Sequence, residues 1–295
     1  MQASLYSLRA FKLALVLARI LPRGAAQNLA SAIAWRVYSR DPECRAVLRG
    51  NLCGIIGRNG ATLDDLCVRN ISNFARMLAD YFRCAAGAGA TSLLTEWRGL
   101  QNVEAARTAG RGVILVTAHL GNWELGGVLL AQHGLPMSVV TLEEPTSALT
   151  EWRDAYRRKV GIRTHTVGPG HSFAFVEMVA ALRRNEVVAM LADRPYAGSG
   201  SPVQFFGRQT EFSTGPALLW QHTGAPVIPA FVLRNDEGRY TAFADAPLPF
   251  ARTKDSRADI QSNTQILAAH FENVIRQYPD QWFNYVPIWP SQYAV

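Results

Sequence analysis

The sequence predicts an α/β domain with a mostly parallel central sheet flanked by helices, and a helical region ahead of it. Three observations carry this. Up to about Cys84 the apolar residues recur at helical spacing; "AAGAGAT", residues 85–91, breaks that pattern with small residues; and beyond it short β-rich runs alternate with helical stretches. The 295 residues therefore divide into a helical region, 1–90, and an α/β domain, 91–295.

Taken in order, "LYSLRAFKLALVLARILP" is an apolar run interrupted by Arg9, Lys12 and Arg19 before Pro22. At ~100° per residue the three cations share a sector of roughly 80°, and leucine, valine, phenylalanine and isoleucine fill the rest. The run is too short and too charged to span a bilayer comfortably, and it lacks the small-residue cleavage site of a secretory signal. Two readings stand: an amphipathic helix in a membrane interface with its cations at the headgroups, or a helix packed on the domain by its apolar face. Next, "GRNGATLDD" contains a turn, and Thr62 with Asp65 supplies a capping-box start for a helix running towards Arg83. Strands are expected over Gly112–Thr117, Met137–Leu142, Arg163–Val167, Val187–Ala192, Val203–Phe206, Pro226–Leu233 and Tyr240–Ala244. Helices are expected over Asn102–Ala109, Asn122–His133, Ser147–Val160, Ser172–Arg184, Thr214–Thr223 and Arg257–Tyr278. In such sheets reactive groups collect at the carboxyl ends of strands, and both His119 and Asp193 lie just past such ends.

With 48% hydrophobic and 18% charged residues the chain can bury a sizeable core, which excludes a disordered protein. The formal charge of +7, nearly all of it from arginine, favours anionic lipid headgroups, phosphorylated substrates or nucleic acid. No nucleic-acid motif or basic–aromatic stripe supports the last. Cys44, Cys53, Cys67 and Cys84 show no C-x-x-C spacing, so they read as free thiols in a reducing, cytoplasm-facing compartment, and no metal-site spacing is evident.

The chemistry concentrates in "LVTAHLGNWELGG", residues 115–127. On one helix His119 and Glu124 would stand about 140° apart and share no face. They can meet only if His119 is on a strand-to-helix loop and Glu124 on the first helical turn, which Gly121 as turn and Asn122 as N-cap allow. Glu124 would then fix the imidazole tautomer, leaving the other nitrogen as a general base, with helix-start N–H groups for an oxyanion. The alternative is a strand-end histidine and a glutamate that complements the helix dipole. Asp193 reads as a buried paired aspartate, Arg194 as a phosphate binder or a local partner, and Trp123 as core.

"VTAHLGNWE" resembles the H-x4-D/E block of membrane glycerolipid and glycolipid acyltransferases, and most closely the late lauroyl or myristoyl acyltransferases of lipid A biosynthesis and the related phosphatidylinositol mannoside acyltransferases. The resemblance continues through "LARILPRGAAQNLASAIAW", "RAVLRGNLCGI", "ISNFARMLADYFR" and the long block from "VVAMLADRPY" through "FFG" and "GPA" to "TGAPVIPAFVLR". It implies transfer of a fatty acyl chain from an acyl thioester, on acyl carrier protein or coenzyme A, to a hydroxyl of a glycolipid such as a lipid A precursor, with no further cofactor. His119 would be the base, Glu124 its orienter and Asp193 a site residue that holds a neighbouring arginine. Arg157 or Arg158, Arg194, Asn122, Trp123, Phe206, Gly207 and Gly215 would bind substrates. A peripheral or monotopic enzyme on the cytoplasmic face of the inner membrane is implied, meeting anionic lipid there. The chain departs from the lipid A enzymes in lacking an N-terminal transmembrane helix and in carrying "DRPYAGSG" where acidic-rich D-x-D forms are common. A mannoside or lysophospholipid acceptor therefore stays open, as does a non-catalytic membrane-binding scaffold.

Overall fold

The computed structural model describes residues 7–289 other than 58, 59, 169, 172, 197 and 199. Leu5 and Tyr6 of the N-terminal run, Arg58 and Asn59 of the expected turn, and the expected helix start at Ser172 lie outside the described residues. The first four helices are α1 (Leu8–Ile20), α2 (Arg23–Arg40), α3 (Pro42–Ile56) and α4 (Ala61–Ala85). Ser7 caps α1 through its hydroxyl, and Asp41 caps α3, where Pro42 occupies the first turn. The expected capping box of α4 does not form: Gly60 is its N-cap without a side-chain bond, and Asp65 pairs instead with Arg69 one turn on. A helix that starts one residue ahead of Thr62 puts that hydroxyl inside the first turn, where it cannot cap.

After a 3-10 turn come β1 (Leu94–Arg98), α5 (Leu100–Thr108), β2 (Val113–Thr117), α6 (Trp123–Gln132), β3 (Met137–Leu142), α7 (Ser147–Lys159) and β4 (Ile162–Val167). They are followed by α8 (Ala174–Arg183), β5 (Val187–Leu191), β6 (Gly200–Phe205), β7 (Arg208–Ser213), α9 (Gly215–Thr223), β8 (Val227–Arg234), β9 (Tyr240–Ala244) and α10 (Ser256–Gln277). Seven strands make one sheet in the order β1-β9-β8-β2-β5-β3-β4, parallel at every step except β8–β9. The segment expected as a strand at Val203–Phe206 is not in that sheet; β6 and β7 form a separate antiparallel hairpin. Two strands went unanticipated. "LTEWR" is a half-exposed edge strand and "RQTEFS" is polar, so neither shows a buried apolar run.

The helical region and the sheet share one core: Leu48, Leu52 and Ile71 cluster with Val116, Val188, Met190 and Phe271. Buried asparagines bind the helices to the C-terminal segment. Asn51 donates to the carbonyls of Asn284 and Val286 at 2.8 Å, and Asn70 to that of Trp282 at 2.8 Å. Arg83 donates to the carbonyls of Ala18 and Leu21, placing a cation at the carboxyl end of α1. Phe11 packs edge-on against Phe82 and Trp152, while Leu13, Val16 and Ile20 on the opposite face stay exposed. No described helix is long and apolar enough to cross a membrane. All four cysteines are free thiols, and only Cys67 is buried.

Candidate active site

Two neighbouring parallel strands set the site. In the β2–β5 register Thr117 stands opposite Leu191, and the chain leaves each strand at the same height. His119 and Asp193, each two residues further on, are thereby brought face to face. His119 Nδ1 is 2.7 Å from Asp193 Oδ1, and the His119 backbone N–H donates to Oδ2 at 3.1 Å. Trp282 Nε1 donates to the same Oδ2 at 3.0 Å, and the Phe283 N–H donates to the His119 carbonyl at 2.6 Å. Asp193 is fully buried, whereas the His119 side chain keeps 18% of its surface.

The loop can make this turn because Gly121 has φ +66° and lies against the Val232 backbone of β8, where any side chain would collide. Asn122, fully buried, then caps α6 by accepting from the Leu125 N–H. The N–H groups from His119 to Asn122 are all engaged: His119 to Asp193, Leu120 to the Ala118 carbonyl, Gly121 to that of Gln281 and Asn122 to that of Val232. The loop amides therefore supply no oxyanion hole. The positive group beside the ring is Arg194, whose guanidinium lies against His119 Nε2.

That arrangement fixes the tautomer. Guanidinium only donates, so Nε2 is the acceptor and Nδ1 carries the hydrogen that Asp193 receives. Burial lowers the His119 pKa below its ordinary value against the opposing pull of Asp193, and Arg194 lowers it further. Burial pushes the Asp193 carboxyl up, but His119, Arg194 and the Trp282 hydrogen bond outweigh it and hold it at about 2. The pair at neutral pH is thus a neutral imidazole on an ionised carboxylate.

Glu124 does sit on the first turn of α6, but the structure corrects its expected role. Its carboxylate meets Arg153 and, at 3.3 Å, Arg157, both from α7, and not the imidazole. Burial raises its pKa, and the two arginines override that and hold it below the usual range. Two fixed cations offer a buried carboxylate more than a neutral ring does. Arg153 also holds Glu144 at 2.6 Å. Of the arginine tandem, Arg157 is buried at the site and Arg158 is exposed, bordering a cleft with Arg163, Thr164 and His165 beside edge strand β4.

Trp123 stands edge-on to His119 at 5.5 Å and continues through Phe283 to Phe74 and Tyr285, an aromatic wall beside the base. Phe206 and Gly207, both at positive φ, are the turn of the β6–β7 hairpin. Phe206 meets α10: its N–H donates to Glu272, and Arg276 stacks 4.9 Å over its ring, while Trp289 packs edge-on to it. Gly215 opens α9, its N–H donating to Ser213 Oγ, with Met190 of β5 close by. Among the described residues no group of His, Cys, Asp and Glu is placed to hold a metal ion.

Arg153 and Trp282 are the residues that sequence reading missed. Arg153 had a signal, since it precedes Arg157 by four positions and shares its helix face. Trp282 had none: nothing in "DQWFNY" ties it to a residue 89 positions earlier.

A histidine–aspartate pair past the carboxyl ends of adjacent parallel strands, with one ring nitrogen left as acceptor, has the arrangement that general-base chemistry requires. The comparisons give the family. Residues 4–290 match the family described as "Bacterial lipid A biosynthesis acyltransferase", and the chain belongs to it. It is 29% identical over 276 residues to the phosphatidylinositol mannoside acyltransferase of Mycolicibacterium smegmatis, covering 92% of this chain and 88% of that one. To the protein of the same name from Mycobacterium tuberculosis, strain H37Rv, it is 31% identical over 278 residues, covering 92% and 84%. A lipid A biosynthesis acyltransferase of Haemophilus influenzae is 26% identical over 154 residues, covering 50% and 45%. The protein is a lipid acyltransferase, acting between an acyl donor and a lipid acceptor.

Proposed function

We propose that the protein moves a fatty acyl chain from an acyl thioester, on acyl carrier protein or coenzyme A, to a hydroxyl of a phosphorylated glycolipid. The observation that carries this is the His119 ring, held at Nδ1 by Asp193 with Nε2 as acceptor. Among the described residues neither nitrogen faces a hydroxyl or thiol of the protein, as direct attack by the acceptor requires. Nε2 takes the acceptor's proton, and the freed oxygen bonds to the thioester carbonyl carbon. The carbonyl becomes an oxyanion, which Arg194 balances by leaving Nε2 for the developing charge. The C–S bond then breaks, and Nε2–H returns the proton to the departing thiolate. Asp193 holds the ring and stabilises the transient imidazolium. Glu124 acts at one remove, fixing α7 over the start of α6 through Arg153 and Arg157. The aromatic wall from Trp123 to Tyr285 offers an apolar lining for the acyl chain.

A mannoside acceptor is the favoured member of the glycolipid class, because the similarity to the mycobacterial enzymes spans 92% of the chain and that to the Haemophilus enzyme 50%. Membrane attachment at the cytoplasmic face of an inner membrane fits α1. Leu13, Val16 and Ile20 form one exposed stripe, with Leu29, Ile33 and Trp35 exposed on α2, and Arg9, Lys12 and Arg19 flank the α1 stripe. The test is acyl transfer from labelled acyl carrier protein and coenzyme A thioesters to phosphatidylinositol mannosides, lipid A precursors and lysophospholipids, comparing wild type with His119→Ala. Transfer to a glycolipid that falls roughly 10²- to 10⁴-fold in the variant is expected. Equal turnover by the variant would remove His119 from the mechanism, and preference for lysophospholipid would overturn the acceptor class.

A further inference from the structure

A second cluster of charge lies past the end of β8, on the far side of the His119 loop from Asp193. Asp80 of α4 is fully buried there and already filled. Arg23 donates to both of its oxygens at 2.8 Å, Gln27 at 3.0 and 3.1 Å, and the Tyr240 hydroxyl at 2.9 Å. An ionised carboxylate has about four lone-pair sites, so little is left for another cation. Two more arginines nevertheless stand near it. Arg23 Nη2 also donates to the Gly238 carbonyl at 2.5 Å, and the Arg234 guanidinium lies against the same glycine, where an added Cβ would come within 2.7 Å of its Nη2. Arg76 sits on α4 one turn before Asp80, on the same face.

No ion pair joins Arg76 or Arg234 to an acid among the described residues, and Asp236 and Glu237 of the β8–β9 turn are exposed. The Nε of Arg234 is buried without a hydrogen-bond partner. Arg234 is not loosely placed, because Gln281 clamps its backbone N–H and carbonyl at 2.8 Å each. Burial, and after it the charges of Arg76 and Arg23, make its protonated form harder to hold. Guanidiniums gathered beside one saturated carboxylate repel one another, and a further anion between them would offset that repulsion. Phosphate suits it, since its oxygens accept from several guanidiniums at once. The position is also close to the chemistry: Val232, which accepts from the Asn122 N–H at 2.7 Å, precedes Arg234 by two residues, or about 7 Å of strand.

We propose that Arg23, Arg76 and Arg234 form a phosphate-binding site beside the His119 loop, taking a phosphate ester of one of the two substrates. Phosphate is carried both by a glycerophospholipid headgroup and by the pantetheine arm and nucleotide of coenzyme A. The proposal rests on the substrate classes above, but its test reads binding and needs no turnover.

The experiment titrates the full chain, wild type and Arg76→Gln/Arg234→Gln, with inorganic pyrophosphate, with coenzyme A, and with short-chain phosphatidylinositol below its micelle concentration. Arg69→Gln, an exposed site on the same helix, serves as control. Pyrophosphate binding and binding of one of the two substrates should weaken roughly tenfold or more in the double variant and stay unchanged in the control. A selective loss for coenzyme A assigns the site to the donor, and a selective loss for phosphatidylinositol assigns it to the acceptor headgroup. Should the double variant fail to fold, Arg76→Gln alone and Arg76→Lys/Arg234→Lys decide, the first weakening binding and the second keeping most of it. Equal binding of all three ligands by folded glutamine variants and wild type overturns the proposal, as does wild type that binds none of them. Acyl transfer that proceeds normally alongside either result would leave the acyltransferase reading intact and sink this site alone.

Discussion

Asp193 and Glu124 are two carboxylates of one site, the first buried and the second nearly so, and they are used in opposite ways. Asp193 takes an imidazole, a backbone N–H and an indole N–H, none of them a permanent cation in direct contact. Its charge is left to act on His119, whose proton affinity it raises against burial. Glu124 takes two guanidiniums, and its charge is spent on joining α6 to α7. A carboxylate that orients a base must leave the base neutral and able to titrate. A carboxylate that fastens two helices does best with cations that never titrate. The difference lies in partner chemistry, and it separates a carboxylate that acts on a titratable ring from one that fastens two helices.

Breaking the first partnership should have the largest effect. Asp193→Asn should reduce kcat/KM by roughly 10²- to 10⁴-fold, because the amide neither holds the Nδ1–H tautomer nor stabilises an imidazolium. The sign of the accompanying pH change follows from the causes. Asp193 raises the His119 pKa while burial and Arg194 lower it, so losing the carboxylate lets it fall further, and the acid limb of the residual rate should move to lower pH. A limb that stayed put or moved up would show that His119 is not the titrating group.

Breaking the second should look different. Glu124→Gln leaves the buried Arg157 without its carboxylate and Arg153 with the carboxylate of Glu144, at a cost of about 3 kcal/mol in unfolding free energy near neutral pH. Because the folded pKa of Glu124 is depressed, its contribution is complete above the unfolded value of about 4.3 and fades as pH falls through the folded one. Denaturant unfolding of the two proteins should therefore converge in acid, while the pH limb of the activity stays where it is. A shift of that limb would reinstate Glu124 as a partner of the imidazole. The smallest effect belongs to Arg158→Ala: an exposed side chain away from the pair should change stability by no more than about 0.5 kcal/mol and leave turnover unaltered. A large loss there would show that the cleft beside β4 takes part in the reaction.

Much of this could be read from the chain. Apolar or alternating runs bounded by turn residues located seven of the nine described strands, because burial of one or both faces leaves a compositional mark. The loop and cap at Gly121 and Asn122 were legible because each residue type has one conformational use there. The placement of His119 and Asp193 past strand ends was equally visible. The β1 and β7 segments were not, since half-exposed strands carry no such pattern.

The sequence by itself determined which chemical groups stand at the ends of which elements: a histidine after β2, an aspartate and an arginine after β5, a glutamate on the first turn of α6. Only the tertiary structure decided how they pair. Strand order placed β5 beside β2, and their register brought Asp193 to the height of His119. The packing of α7 carried Arg153 and Arg157 to Glu124, and the C-terminal segment brought Trp282 to Asp193. Sequence spacing ranks partners by nearness along the chain, whereas a buried carboxylate takes whichever donors and cations the fold delivers within about 3 Å.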